Sequence, residues 1–251
     1  MMMQNEKQLK DMVAIITGGG KGIGRSIAMA YAEQGANLVI CGRNKSLLDE
    51  VSREAGALGV SVLPVRADVS VEADVENMVE RALREFGQID ILVNNAGIPG
   101  PTVLITEIKK TDWDAVMGTN VTGVFLCSRA VLRHMIGRGK GNILNVSSGA
   151  GKTVKVVRSL SYNVSKFAVE GLTAATAVQM KPYGICVNAL RPGMIDTDFH
   201  RDTPEEWKAK MLPMRHPDVV KELAVFLVLQ TVDTMTGESV DLAEWERSRQ
   251  A

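Results

Sequence analysis

The chain has almost no material for a disulfide framework: three cysteines, Cys41, Cys127 and Cys186, are spread over 251 residues. They are odd in number, widely spaced and set in apolar surroundings, so they read as buried free thiols. No metal-ligand spacing connects His200 and His216, and no metal is expected. An excess of basic charge is also missing, since lysine plus arginine (29) equals aspartate plus glutamate (29). That balance sets nucleic acid aside as a partner. No apolar run approaches the ~20 residues of a membrane span. The start, Met1 to Lys7, lacks the apolar core of a secretion signal. Internal repeats, low-complexity tracts and long linkers are absent. The expectation is a soluble cytoplasmic protein with neither nucleic acid nor membrane as partner. Hydrophobic residues at 45% and charged residues at 23% agree with an ordinary globular chain.

What the sequence does contain is a rhythm. Short apolar runs at Val13–Ile16, Asn37–Cys41, Val60–Val65, Ile89–Val93, Asn142–Val146, Ile185–Leu190 and, more weakly, Ser239–Leu242 read as strands. They are continuously apolar rather than alternating, as strands buried on both faces are. Helical patterns lie between them, including Ile23–Gln34, Val71–Phe86, Asp112–Ile136 and Ser161–Lys181. Strand–helix alternation predicts an α/β fold: one Rossmann-type domain over residues 1–251, a doubly wound parallel sheet of about seven strands. Residues 193–217 break the rhythm, carrying Pro204, Pro213 and Pro217 among polar residues. Ligands of such sheets bind beyond the carboxyl ends of the strands. The segment therefore reads either as a mobile cover over that site or as a plain surface loop.

The first strand runs into Thr17-Gly18-Gly19-Gly20-Lys21-Gly22-Ile23-Gly24 and then a helix. Glycines let the backbone approach a pyrophosphate closely, and the helix N-terminus supplies free N–H groups and partial positive charge. Neither a literal G-x-G-x-x-G nor a Walker motif is present, because Gly22 follows Lys21. Five glycines at one strand-to-helix junction still point to a dinucleotide. Enzymes selective for NAD place an acid at the end of the second strand. Here Cys41-Gly42-Arg43-Asn44 has none. Arg43 stands where a guanidinium holds a 2′-phosphate, with Lys21 in the loop below, so NADP is expected, NADPH preferred over NADH.

Tyr162 and Lys166 are four apart in a helical pattern, which puts phenol and ammonium on one face. A free tyrosine ionises near pH ~10. A neighbouring cation lowers that value and makes the phenol usable as an acid or base. The other two tyrosines, Tyr31 and Tyr183, lack a lysine four residues on.

With these motifs in order, the chain resembles a classical short-chain dehydrogenase/reductase from about Lys10 to about Gly237. Thr17-Gly18-x-x-x-Gly22-x-Gly24 matches the family's T-G-x-x-x-G-x-G, and Asp68-Val69 matches the pair it places on the adenine ring. Asn94-Asn95-Ala96-Gly97 follows the fourth strand, and Asn120 matches the helix asparagine. Ser148 closes the fifth strand ahead of Tyr162-x-x-x-Lys166. Pro192-Gly193-Met194-Ile195-Asp196-Thr197 matches the stretch bordering the nicotinamide.

The resemblance implies an enzyme interconverting a ketone or aldehyde and an alcohol by hydride transfer. In it Tyr162 is the general acid or base. Lys166 lowers the tyrosine's pKa and holds the nicotinamide ribose, and Ser148 hydrogen-bonds the substrate oxygen. Asn120 kinks its helix and keeps a water in line with Lys166. The dinucleotide is implied to contact Thr17, Gly18, Gly20, Lys21, Gly22, Ile23, Gly24, Arg43, Asp68, Val69, Asn95, Ala96, Gly97, Tyr162, Lys166, Pro192, Gly193, Ile195 and Thr197. Side chains alternate along a strand, so Ser147 is expected to point into the opposite layer from Ser148. A homo-oligomer, dimer or tetramer, is implied through the long helices Asp112–Ile136 and Ser161–Lys181. Two same-site alternatives stand beside this reading: a 3-oxoacyl-[acyl-carrier-protein] reductase, and a dinucleotide-sensing protein without catalysis.

Two departures from the family pattern stand out. Ser148 and Tyr162 are fourteen apart, one more than is commonest. The D-G-G usual near the end is replaced by the larger Val240-Asp241-Leu242-Ala243. The loop before Tyr162 holds Lys152, Lys155 and Arg158 with no acid. These cations either face solvent or receive a substrate anion. Arg158, four before Tyr162, is the candidate, which puts Ser148, Tyr162 and Arg158 at the substrate.

Overall fold

The computed structural model describes residues 7–154, 159–201 and 213–250. Seven strands, β1 Val13–Thr17, β2 Asn37–Gly42, β3 Val62–Arg66, β4 Ile91–Asn94, β5 Gly141–Val146, β6 Ile185–Arg191 and β7 Ser239–Asp241, form one sheet. Its order is β3-β2-β1-β4-β5-β6-β7, and every neighbouring pair is parallel. The chain winds outward from β1 in one direction, then restarts at β4 and winds the other way. The gap where the order reverses, above the carboxyl ends of β1 and β4, is where such sheets take ligands.

All five residues of β1 and the first six of β6 are buried. Helices α1 Gly22–Glu33, α2 Lys45–Gly56, α3 Glu72–Phe86, α4 Lys110–Met117, α5 Gly123–Arg138, α6 Leu160–Met180, α7 Lys221–Val228 and α8 Leu242–Ser248 cover the sheet. Two apolar cores result, one on each face. Ile16, Ile27, Leu38, Leu48, Leu144 and Leu223 belong to the first, and Ile15, Val39, Met78, Leu92, Leu126 and Val187 to the second.

Most boundaries agree with the sequence reading to within two residues. The expected single helix Asp112–Ile136 is instead α4 and α5 joined by a π-helical turn, Gly118–Thr122. Lys110–Arg138 as a whole is long and apolar enough, by length and composition, to cross a membrane. That corrects the expectation that no stretch qualifies. In the fold half of its apolar window is buried, and α5 packs on β4, α3 and α6.

Gly137 sits exposed in the last turn of α5, and a Cβ there meets no heavy atom within 4 Å. Gly137→Ala is expected to raise stability by about 0.5–1 kcal/mol. A melting experiment should show this as a rise of roughly 1–4 °C.

The excursion after β6 leaves and returns through one stalk. Ile195 bridges Arg215 in parallel, Asp196 N donates to Arg215 O at 2.9 Å, and Arg215 N donates to Met194 O at 2.9 Å. A two-pronged ion pair from Arg215 to Glu246, at 2.8 and 2.6 Å, ties this stalk to α8.

Candidate active site

The glycine-rich turn is shaped for close approach. Gly18 and Gly22 adopt positive φ (65° and 53°), a region open to glycine and strained for other residues. A Cβ on Gly24 would stand 2.3 Å from Gly18 O and 2.4 Å from Asn95 Nδ2, so α1 can lie against the turn only if this residue is glycine. Asn95 locks the turn from the other strand, its Nδ2 donating to Thr17 O at 2.9 Å and Gly18 O at 3.3 Å. Thr17 is turned away from the cleft. Its hydroxyl donates to Val93 O (3.2 Å) and accepts from Asn95 N (2.9 Å) and Ala96 N (3.0 Å). Thr17 thus stitches β1 to the loop after β4, and Gly24 supports the turn from beneath.

Above them opens a cleft of ≈ 2050 Å³, larger than a drug-sized ligand site of roughly 300–1,000 Å³. Gly18, Gly20, Lys21, Gly22 and Ile23 line it with Arg43, Asp68, Val69, Asn95, Ala96 and Gly97, and with Thr197, whose side chain stands against Gly22; Ser148, Tyr162, Lys166, Pro192, Gly193 and Ile195 line the rest. One elongated space therefore joins a glycine cradle, at the positive end of α1, to the tyrosine–lysine pair. That donor set fits a dinucleotide lying across the strand ends.

Asp68 sits beside Arg43. A hydrogen bond from the Ser70 hydroxyl, with a smaller contribution from the Arg43 charge, holds its carboxyl below the usual aspartate range. Lys21 is engaged by Asp198 at 3.0 Å, across from the cradle. Of the two cations read as 2′-phosphate ligands, Arg43 alone makes no salt bridge among the described residues.

At the other end, Ser159 caps α6 by accepting from Tyr162 N at 3.4 Å, which fixes Tyr162 in the first turn and Lys166 one turn deeper. The Lys166 ammonium lies 5.6 Å from the centre of the Tyr162 ring and donates to Val146 O at 2.7 Å. Burial pushes its pKa down to about 8, against an opposing pull from Glu170. The Phe199 ring, from the excursion, lies 5.3 Å from the tyrosine ring.

Asn120 is buried in the π-helical turn. Its Nδ2 donates to Ile98 O and Ser165 Oγ, both at 3.0 Å, and its Oδ1 accepts from Ile98 N at 2.8 Å. A π turn inserts one extra residue into the helix, and here that residue reaches from α4–α5 to α6 and the β4 loop. Ser148 faces the cleft, with its Oγ accepting from Ala150 N at 3.2 Å. Ser147 points the other way, to Glu170, as strand alternation predicts.

Lys152 is exposed, as one of the two readings expects, and does not line the cleft. It pairs with Asp241 at 2.9 Å and Glu244 at 3.1 Å, which corrects its standing as a candidate anion ligand. Lys155 and Arg158 lie outside the described residues. Sequence reasoning missed Phe199 and Glu170, the second of which sits four residues beyond Lys166 and so carried a spacing signal. Cys41, Cys127 and Cys186 are buried and free, and among the described residues no cluster of His, Cys, Asp and Glu could hold a metal ion.

The sequence profile of the short chain dehydrogenases matches residues 12–208. Glucose 1-dehydrogenase 2 of Bacillus subtilis (strain 168) is 34% identical over 248 residues, 93% of this chain and 94% of the relative. A short-chain type dehydrogenase/reductase from Mycobacterium marinum superposes with a TM-score of 0.87 at 33% identity, covering 94% of this chain and 96% of the other. The 3-ketoacyl-(acyl-carrier-protein) reductase of Brucella melitensis, solved with NADH, gives 0.85 at 36% identity, covering 93% and 97%.

Proposed function

We propose that this chain, which belongs to the short-chain dehydrogenase family, is an NADP(H)-dependent oxidoreductase interconverting a small ketone or aldehyde and its alcohol. The observation that carries the reading is the single cleft joining the glycine cradle to Ser148, Tyr162 and Lys166. A nicotinamide dinucleotide bound there supplies or accepts the hydride. The residues of the chain supply everything else. Reduction of a carbonyl develops negative charge on its oxygen, and Tyr162 donates a proton to it; in the reverse direction the phenolate removes the alcohol proton. The buried Lys166 ammonium favours that phenolate and would hold the nicotinamide ribose of a bound cofactor. Ser148 donates to the substrate oxygen and holds it for attack. Asn120 fixes α4–α5 against α6, so that a water behind Lys166 can pass protons to solvent.

Arg43 carries the cofactor preference. It faces the cleft at the end of β2 with no acid in its place, where NAD enzymes place one on the ribose. The Brucella relative was solved with NADH, which makes the preference a point to measure. Following NADPH and NADH oxidation in parallel over a carbonyl panel decides it, and a clear preference for NADH would overturn it. Arg43→Ala should lower kcat/KM with NADPH by roughly 10- to 150-fold, the worth of a charge-assisted hydrogen bond, and leave the NADH value in place.

A second reading, a 3-oxoacyl-[acyl-carrier-protein] reductase, is favoured by the likeness to the Brucella enzyme, and turnover of acetoacetyl thioesters tests it. Residues 193–217 act as the substrate cover, as the Phe199–Tyr162 contact supports. Exposed Phe125 on α5 and Val164, Phe167 and Val178 on α6 favour a homo-oligomer built on those helices, dimer or tetramer. Three buried free thiols agree with a reducing, cytoplasmic setting.

A further inference from the structure

One carboxylate outside the residues assigned above gathers both halves of the active site. Glu170 lies one helical turn beyond Lys166 on α6, and its side chain is 14% exposed. Its Oε1 accepts from Arg191 Nε at 2.9 Å and from the Ser147 hydroxyl, and its Oε2 from Arg191 Nη2 at 2.9 Å and the Ser239 hydroxyl. Ser147 adjoins Ser148, and Arg191 adjoins the Pro192–Gly193 border of the cleft. Gly151, just after Ser148, packs on the same spot: a Cβ there would stand 2.7 Å from Lys166 O and 3.0 Å from Glu170 Cγ.

We propose that Glu170 is a positioning residue for hydride transfer. It clamps the strand end that carries Ser148 to the strand end that carries Pro192–Gly193, and it keeps a negative charge one turn behind the Lys166 ammonium. The proposal rests on the oxidoreductase reading above. A buried arginine–carboxylate pair adds little net stability over apolar residues of the same volume. What this one supplies is fixed geometry, because its two oxygens together take donors from β6, from β7 and from the residue that follows β5.

The charge is kept as well. Burial alone would push the Glu170 carboxyl up, but the Arg191 guanidinium and the two serine hydroxyls outweigh it and hold it below the usual glutamate range. The charged groups packed around the pair are Arg191 from β6, Asp241 from β7, Lys152 after β5 and Glu244 from α8. Arg191 Nη1 meets Asp241 at 3.2 Å, and Lys152 meets Asp241 and Glu244. Removing the Glu170 charge leaves Arg191 less compensated, so the Lys166 ammonium becomes easier to deprotonate.

The test compares the whole wild-type protein with E170Q, E170D and S147A. In E170Q, kcat should fall roughly tenfold or more, with the dissociation constant for NADPH unchanged. The alkaline limb of the kcat–pH profile should move down by roughly half a unit or more. E170D, which keeps the charge, should retain the wild-type limb. S147A, which removes one hydrogen bond to Glu170 and leaves both Arg191 bonds in place, should lower kcat through Ser148 without moving NADPH binding. The idea is overturned if E170Q is as active as wild type, if it loses activity with an unmoved limb, or if E170D shifts as E170Q does. Should E170Q not fold, an unchanged kcat in S147A overturns the clamp. The Lys166 titration, followed by NMR of the ¹⁵N-labelled lysine side chain, is read without turnover. A wild type inactive on every carbonyl would sink the function, while that titration would still decide whether Glu170 sets the lysine.

Discussion

Tyr162→Phe is expected to lower kcat by roughly 10²–10⁴-fold, the usual worth of a positioned general acid or base. It should leave the dissociation constant for NADPH and the melting temperature close to wild type. The substitution removes one oxygen and keeps the ring, so the contact with Phe199 at 5.3 Å and the first turn of α6 stay as they are. Lys166 stays too, held by Val146 O at 2.7 Å. With the proton donor gone and the cradle intact, binding and turnover should come apart. Single-turnover kinetics with NADPH and fluorescence titration of the nucleotide measure the two separately. Activity within threefold of wild type would end the assignment of Tyr162, because no other tyrosine lines the cleft among the described residues.

Gly24→Ala acts on the opposite end of the cleft, and through stability. The new methyl would sit 2.3 Å from Gly18 O and 2.4 Å from Asn95 Nδ2. Neither atom can step aside cheaply. Gly18 is at the positive-φ turn, and Asn95 Nδ2 already donates to Thr17 O and Gly18 O. Overpacking of this kind costs about 1–3 kcal/mol and sometimes more, which for a chain of this size lowers Tm by roughly 2–10 °C. Relief of the clash must push α1 off the turn, so nucleotide binding should weaken in the same variant. Calorimetry and nucleotide titration on G24A, against G137A as the glycine-to-alanine substitution in open space, separate this clash from the intrinsic preference of helices for alanine. An unaltered Tm in G24A would show that the turn yields more readily than these contacts allow.

The inner strands were legible because they are continuously apolar, and the sheet buries both faces of them. Even β7, three residues long, was marked by Ser239–Leu242. The π-helical turn was not, since the apolar period runs through Gly118–Thr122 without interruption and only the backbone slips. Helix α2 carries just three buried residues, Leu48, Val51 and Ala55, and gave too thin a stripe to be singled out. In the site, ordered motifs placed Ser148, Tyr162 and Lys166 on one cleft. What stayed hidden was pairing across long separations. Lys152 meets Asp241 and Glu244 some 90 residues away, so one cation of a loop that looked purely cationic is paired with the tail. Glu170 joins residues 21, 23 and 69 positions distant, and no local pattern announces that. The loss of the usual glycines near the end has its counterpart here: Asp241, which precedes the Leu242-Ala243 standing in their place, anchors both Lys152 and Arg191.

The stalk formed by Ile195 and Arg215 has a consequence for how such a protein changes over generations. Both ends of the excursion are pinned to each other before the chain rejoins the sheet, and α8 braces the return through Arg215 and Glu246. Length added between the pins leaves the strand order untouched, and doubling such a loop costs only about 0.6 kcal/mol in closure entropy. If the excursion is the substrate cover proposed above, substrate scope is rewritten by exchange of one cassette while the rest of the cleft is inherited unchanged.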